Sequence, residues 1–287
     1  MYCFTRSRSV LRVRNCFVAG LFVIGMACLF TQRAHAGTFT LVDENSVVDI
    51  DTDDQLNANN WIVEGQDQLF QQGFWYRVGN DAEQSLHTLP HPVEGASDIN
   101  FDGNDDALFV RYDGEGFRVE VRYILDGGAP GSGTSDMAEQ ISITNLGRSP
   151  LDFHFFQYSD FEILGTDGND SAVFTNANSV QQYEGALTLS ETVVTPVPSH
   201  REIDFFDTTR AKLNDGLPTT LSDTPPTAVV LGPGDLTWAY QWDVLIPAFG
   251  TFQISKDKLI TGVVPEPATC ALLAIAGLLL GLRRGQY

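Results

Sequence analysis

The chain reads as all-β, a large sandwich of antiparallel sheets, and three observations predict it. Apolar and polar residues alternate with a period of two in one stretch after another. Gly, Asp and Asn punctuate the runs roughly every 8–15 residues. Between the two ends, no apolar pattern of helical period lasts longer than about two turns. A jelly roll or barrel is the alternative topology for such a pattern. The full architecture is an all-β, large antiparallel β-sandwich, flanked by an N-terminal signal peptide helix and a short C-terminal transmembrane helix.

The first element, residues 1–36, has three zones. Arg6, Arg8, Arg12 and Arg14 make a basic start, and residues 16–30 form an almost uncharged apolar run. Ala34-His35-Ala36 then sets small residues either side of a larger one, the pattern signal peptidase accepts. This is a secretory signal peptide with cleavage expected after Ala36.

The exported domain spans 37–262. Phe117, Val119, Val121 and Tyr123 alternate with charged residues and define one strand face. Residues 140–144 form a second strand, closed by Asn145-Leu146-Gly147. Residues 151–163 read as a long aromatic strand or strand pair. Trp238, Tyr240, Trp242, Val244 and Ile246 repeat the alternation, with Ala239, Gln241 and Asp243 opposite. Residues 131–135 are a Gly/Ser loop, and residues 255–264 read as a linker to the tail.

The last element, residues 263–287, begins with Pro265-Glu266-Pro267. An uncharged run over 268–282 follows, then Arg283-Arg284. As a helix this run spans about 22 Å, short of a hydrocarbon core of about 30 Å. It suits a transient membrane stop, with the two arginines cytoplasmic and the domain outside. The tail resembles the PEP-CTERM sorting signal on Pro265, Glu266 and Pro267, on Thr269, Leu272, Gly277 and Leu282 of the apolar run, and on the terminal Arg283 and Arg284. The resemblance implies export in a Gram-negative bacterium that makes exopolysaccharide. It also implies recognition by an exosortase and release to the cell surface or extracellular matrix. Residues 141–161 resemble β-rich domains of other such proteins, which implies a fold and no activity.

Composition narrows the function classes. Without the two ends the domain keeps about 10 basic and 36 acidic residues, a net charge near −26. So acidic a surface excludes nucleic-acid binding and suits divalent cations. Cys3, Cys16, Cys28 and Cys270 all lie in the ends, so the domain has no disulfide, thiolate metal site or Cys nucleophile.

The sharpest internal motif is Asp98-x-Asn100-x-Asp102-Gly103-Asn104-x-Asp106. Alternate oxygens converge on one cation in such loops, and Gly at the sixth position permits the turn. It resembles the calcium loops of integrin-type propeller repeats. Asp98, Asn100, Asp102, Asn104 and Asp106 are the candidate calcium ligands; the other reading is a hairpin turn that binds nothing. A twelfth position occupied by Phe109 argues against a full EF-hand. Asp167-Gly168-Asn169-Asp170 is a shorter echo of the loop.

No catalytic constellation is evident, and no residue is assigned a catalytic role. Gly-x-Ser-x-Gly is absent. His87 and His91 flank Pro90 and make a poor zinc pair. His154 reads as packed or hydrogen-bonded, and His200 as a solvent-exposed loop residue. Asp160 and Glu162 form a carboxylate pair on one strand, whereas glycosidase carboxylates usually face each other across a cleft. Trp61, Trp75, Tyr76, Trp238 and Trp242 read either as sugar-stacking rings or as core. The resulting expectation is a non-enzymatic surface or matrix protein, associated with extracellular polysaccharide. Its alternatives are a carbohydrate-binding module and a glycan-active hydrolase or lyase.

Overall fold

The computed structural model describes residues 37–225 and 231–262. The signal peptide with Ala34 and Ala36, Pro265-Glu266-Pro267, the tail run and Arg283-Arg284 lie outside the described residues. In chain order the strands are β1 Thr38–Asp43, β2 Ser46–Asp51, β3 Ala58–Val63, β4 Gln66–Asp67, β5 Gln71–Val78 and β6 Gln84–Ser85. There follow β7 Val93–Ser97, β8 Ala107–Gly114, β9 Phe117–Gly127, β10 Ser135–Asn145, β11 Leu151–Asp160 and β12 Asp170–Asn176. The last six are β13 Ser179–Glu184, β14 Leu187–Thr195, β15 His200–Phe205, β16 Leu231–Gly234, β17 Leu236–Ile246 and β18 Thr251–Thr261. One α-helix, α1 Thr208–Leu213, is found among the described residues, with short 3-10 turns at Leu86–Thr88 and Ile163–Gly165.

These strands form two nine-stranded sheets. Sheet A runs β1-β2-β3-β5-β11-β17-β15, with β4 and β6 paired to β3 and β5. Sheet B runs β16-β12-β13-β14-β18-β10-β9-β8-β7. The pairings at the centre of both sheets are antiparallel. The sandwich expected from the sequence is therefore present. No described helix is long and apolar enough to cross a membrane.

Period-two alternation sends one face of each strand into the core. Phe117, Val119, Val121 and Tyr123 of β9 are buried as their spacing predicts. Phe74, Tyr76, Phe153, Phe155, Trp238, Tyr240 and Trp242 come from sheet A. Phe74 stacks on Phe155 at 5.4 Å, and Phe161 stacks on Trp238 at 5.3 Å. Trp61, Trp75 and Trp238 are 0% exposed and Trp242 is 1%. None of these four can stack on a sugar without opening the core.

The expected linker over 255–264 is instead mostly strand. β18 sits in the middle of sheet B between β14 and β10. The reason is chemical: its inward positions alternate Ile254, Lys256, Lys258 and Ile260, and two lysines hid the apolar phase. Both are buried, as are Glu139 of β10 and Glu191 of β14. Glu139 bonds both ammonium groups. Glu191 lies 3.4 Å from Lys256 and 3.6 Å from Lys258. From sheet A, Gln157 donates to Glu191 at 2.7 Å, Trp238 at 2.7 Å, and Gln72 to Glu139 at 2.8 Å. Burial would raise the Glu139 carboxyl, but the two lysines overcome it and hold Glu139 down to about 2.

Candidate functional site

Along β11, Phe153, Phe155, Gln157 and Ser159 face sheet B, so Asp152, His154, Phe156, Tyr158 and Asp160 face outward. The middle of this outer face is covered by residues 206–225. Leu213 packs there with Trp75, Phe156 and Tyr158. Backbone amides of the same segment are fixed by sheet side chains: Thr219 donates to Glu83 at 2.8 Å, Leu221 to Gln241 at 2.9 Å, and Ser222 to Glu202 at 2.8 Å.

At one end the register aligns Arg77 of β5, His154 of β11 and Asp243 of β17 in a row across the sheet. His154 Nδ1 lies 2.5 Å from one Asp243 oxygen, and His200 Nε2 of β15 lies 3.3 Å from the other. Gln241 donates to Asp243 at 2.8 Å, and the Asp243 amide donates to Ser199 at 3.0 Å. His200 Nδ1 meets Asp223 of the covering segment at 2.8 Å. Side-chain exposures of 15% for His154, 27% for His200 and 32% for Asp243 place the row at a half-buried rim. Burial pushes the Asp243 carboxyl up, but hydrogen bonds from Gln241 and His154 and the charges of both imidazoles bring it below the usual carboxylate range.

The chemistry follows from that sharing. One carboxylate orients two imidazoles, the side-chain type most often used for general acid–base work. His154 Nε2 lies 3.6 Å from Asp152, too long for a good hydrogen bond. Arg77, the register partner of His154, also lines a depression of about 550 Å³ with Tyr76, Val78, Gln84, Glu115 and Phe117. This is a size that suits a small ligand. Arg77 lies 3.5 Å from Glu83, and its Nε–H has no partner.

The residues singled out in the sequence fall elsewhere. The loop over 98–106 joins β7 to β8. Asp98 accepts the Phe101 and Gly103 amides at 2.6 and 2.9 Å. Asp106 accepts Ile99 and Asn100 at 2.8 and 3.2 Å, Asp102 accepts Asn104 at 2.8 Å, and Gly103 takes φ +101°. These bonds close the loop by themselves and leave each oxygen a second lone pair. No group of three His, Cys, Asp or Glu among the described residues is arranged to hold a metal. His87 bonds Ser85 at 2.7 Å and His91 pairs with Asp53 at 3.0 Å, so the two do not converge.

Asp160 ends β11 and Glu162 follows it. Burial first, then the charges of Asp235 and Glu162, push Asp160 up to about 7. Asp235 lies between β16 and β17, so carboxylates distant in the chain act on one another at this end. The His154–Asp243–His200 row was missed by sequence reasoning. Its only signal was that His154 and Asp243 both fall out of phase with the aromatics of their strands.

No family model matches the sequence, and no curated protein matches it. Solved structures do share the fold. A bacterial glucoamylase complexed with acarbose superposes with a TM-score of 0.55 at 10% identity, over 84% of this chain and 34% of that one. Galactose 1-epimerase from Lactobacillus acidophilus NCFM gives 0.52 at 8% identity, over 79% and 94%. A proposed aldose 1-epimerase from Escherichia coli K12 gives 0.50 at 8% identity, over 79% and 99%. The chain spans about a third of the glucoamylase, and identities this low establish a shared fold alone. These neighbours are by name enzymes that act on sugars. That corrects the expectation of a non-enzymatic protein. The strand pattern had read as a generic sandwich, and the His154–Asp243–His200 row forms only when β11, β15 and β17 pair.

Proposed function

We propose that the protein is carbohydrate-active, and that the His154–Asp243–His200 row moves a proton to or from a hydroxyl of a sugar held beside Arg77. The observation that carries this is one carboxylate shared by two half-buried imidazoles, in register with Arg77, which itself lines a sugar-sized depression. The names of the fold neighbours support the substrate class. Interconverting the anomers of an aldose needs little else. A base takes the proton of the anomeric hydroxyl, an acid protonates the ring oxygen, the carbon–oxygen bond of the ring opens, and closure on the other face reverses each transfer.

The test follows a panel of pure aldose anomers by polarimetry and NMR. The wild-type protein is expected to speed the approach to anomeric equilibrium. His154→Asn and His200→Asn are expected to lose about 10²-fold or more of that rate with the fold intact. Equilibration at the buffer rate for every sugar would sink the reading. A glycosidic substrate cleaved in the same assay would favour hydrolysis, the chemistry named for the glucoamylase.

Export accompanies this reading, supported by the sequence pattern of both ends. The precursor is cleaved after Ala36, the tail carrying Pro265, Glu266 and Pro267 is handled by an exosortase, and the domain works outside the cell. Calcium at Asp98, Asn100, Asp102, Asn104 and Asp106 belongs to the same proposal, supported by the spacing of the loop.

A further inference from the structure

The opposite end of the outer face of sheet A carries a second constellation, separate from the histidine row. Two aromatic rings are exposed there: Phe70 at 38% and Phe206 at 41%. Phe70 and Phe206 meet edge to face at 6.1 Å and 72°. Their backbones are tied to the strands that carry the carboxylates. The Phe70 amide donates to the Asp160 carbonyl at 3.1 Å, and the Phe206 amide donates to the Asp235 carbonyl at 2.9 Å. Rings and acids are therefore held together by main-chain bonds.

The acids are unbalanced. Asp160 is 1% exposed; Tyr158 donates to its Oδ2 at 3.4 Å, and its Oδ1 has no partner. Asp235 and Glu162 both press on it electrostatically. Asp235 in turn presses on Glu162. The nearest cation, Arg210, is already engaged: it bonds Asp207 and Gln71, each at 2.7 Å, and its guanidinium sits 5.3 Å over Phe206. A neutral hydroxyl cannot relieve repulsion among carboxylates, whereas a bound positive charge can. A bare metal ion is the weaker fit, since no described group of three ligands is arranged for one. The rings offer apolar faces to a pyranose and negative faces to a cation.

We infer that this end binds an ammonium-bearing sugar, a hexosamine unit of a glycan, stacked on Phe70 and Phe206 with its ammonium against Asp160 and Asp235. The sugar half of the inference rests on the proposed function; the positive charge rests on the carboxylates alone.

Calorimetric titration of the purified protein with a glucosamine tetramer, an N-acetylglucosamine tetramer and tetralysine tests it. The glucosamine tetramer is expected to bind, with the acetylated tetramer and tetralysine each at least about tenfold weaker. Phe70→Ala and Asp235→Asn are each expected to weaken binding about tenfold or more, with anomer interconversion and melting temperature unchanged. Asp160→Asn gives the same loss if it folds. Equal binding of the acetylated tetramer would overturn the charge assignment, and tighter binding of tetralysine would overturn the sugar. Binding insensitive to Phe70→Ala and Asp235→Asn would overturn the site. Failure of these titrations with anomer interconversion intact would leave the histidine row standing.

Discussion

Replacing Lys258 with Met tests whether the buried charges between the sheets are bound to one another as a unit. In the wild type two ammonium groups face two carboxylates, and the four charges cancel in a space closed to water. The substitution keeps most of the side-chain volume but leaves Lys256 alone against Glu139 and Glu191. Removing one partner of a buried pair typically costs about 3–5 kcal/mol, because the remaining charge stays desolvated. An exposed pair such as Arg111–Asp113, at 27% and 32%, contributes about 0–1 kcal/mol. For a domain of this size the buried loss lowers Tm by roughly 10 °C. Glu191→Gln in the same chain restores neutrality and keeps an acceptor for the Trp238 N–H. The double variant is therefore expected to be more stable than the sum of its single losses by at least about 1 kcal/mol. Urea unfolding with calorimetry measures all four species. A loss below about 1 kcal/mol for Lys258→Met, or strict additivity in the cycle, refutes the reasoning.

Stability should fall as pH rises across neutrality. Burial first, then neighbouring charges, push Asp160 up to about 7 and Asp170 up to about 8. Such groups stabilise the folded chain fully below the ordinary carboxyl pKa of about 4, and that contribution is lost as pH rises through their folded values. Tm should thus be higher at about pH 5 than at about pH 8, and Asp160→Asn with Asp170→Asn should flatten the difference. Asp106→Ala removes the acceptor of two amides in the 98–106 loop and should cost about 1–3 kcal/mol by urea melt. If calcium occupies that loop as proposed, adding it raises Tm in the wild type and not in Asp98→Ala; no rise in the wild type removes the ion. Replacing Pro265, Glu266 and Pro267 together should leave the exported precursor in the membrane fraction on immunoblot, and normal processing would refute exosortase recognition.

The strands were readable wherever one face was uniformly apolar. Phe117 to Tyr123 and Trp238 to Ile246 announced both their existence and their inward residues. β18 was not readable, because Lys256 and Lys258 hold core positions that only Glu139 and Glu191, from two other strands, make tolerable. The histidine row was hidden for a related reason. His154 and Asp243 lie 89 residues apart in the chain, and only the β11–β17 register brings them together. Local pattern reports the face a side chain occupies, not its partner across the ladder. Asp160 and Glu162 were visible as a pair, but their third neighbour, Asp235, arrives from a distant turn.

The place of β18 governs when this molecule can exist. A ribosome delivers the chain from its amino end, yet the strand that joins the halves of sheet B is the last of all to emerge. Before it arrives, β14 and β10 each present an unpaired edge to the surroundings. Trimming even a few residues from β18 should thus be felt across the whole sandwich, whereas a nick in an early loop would be local.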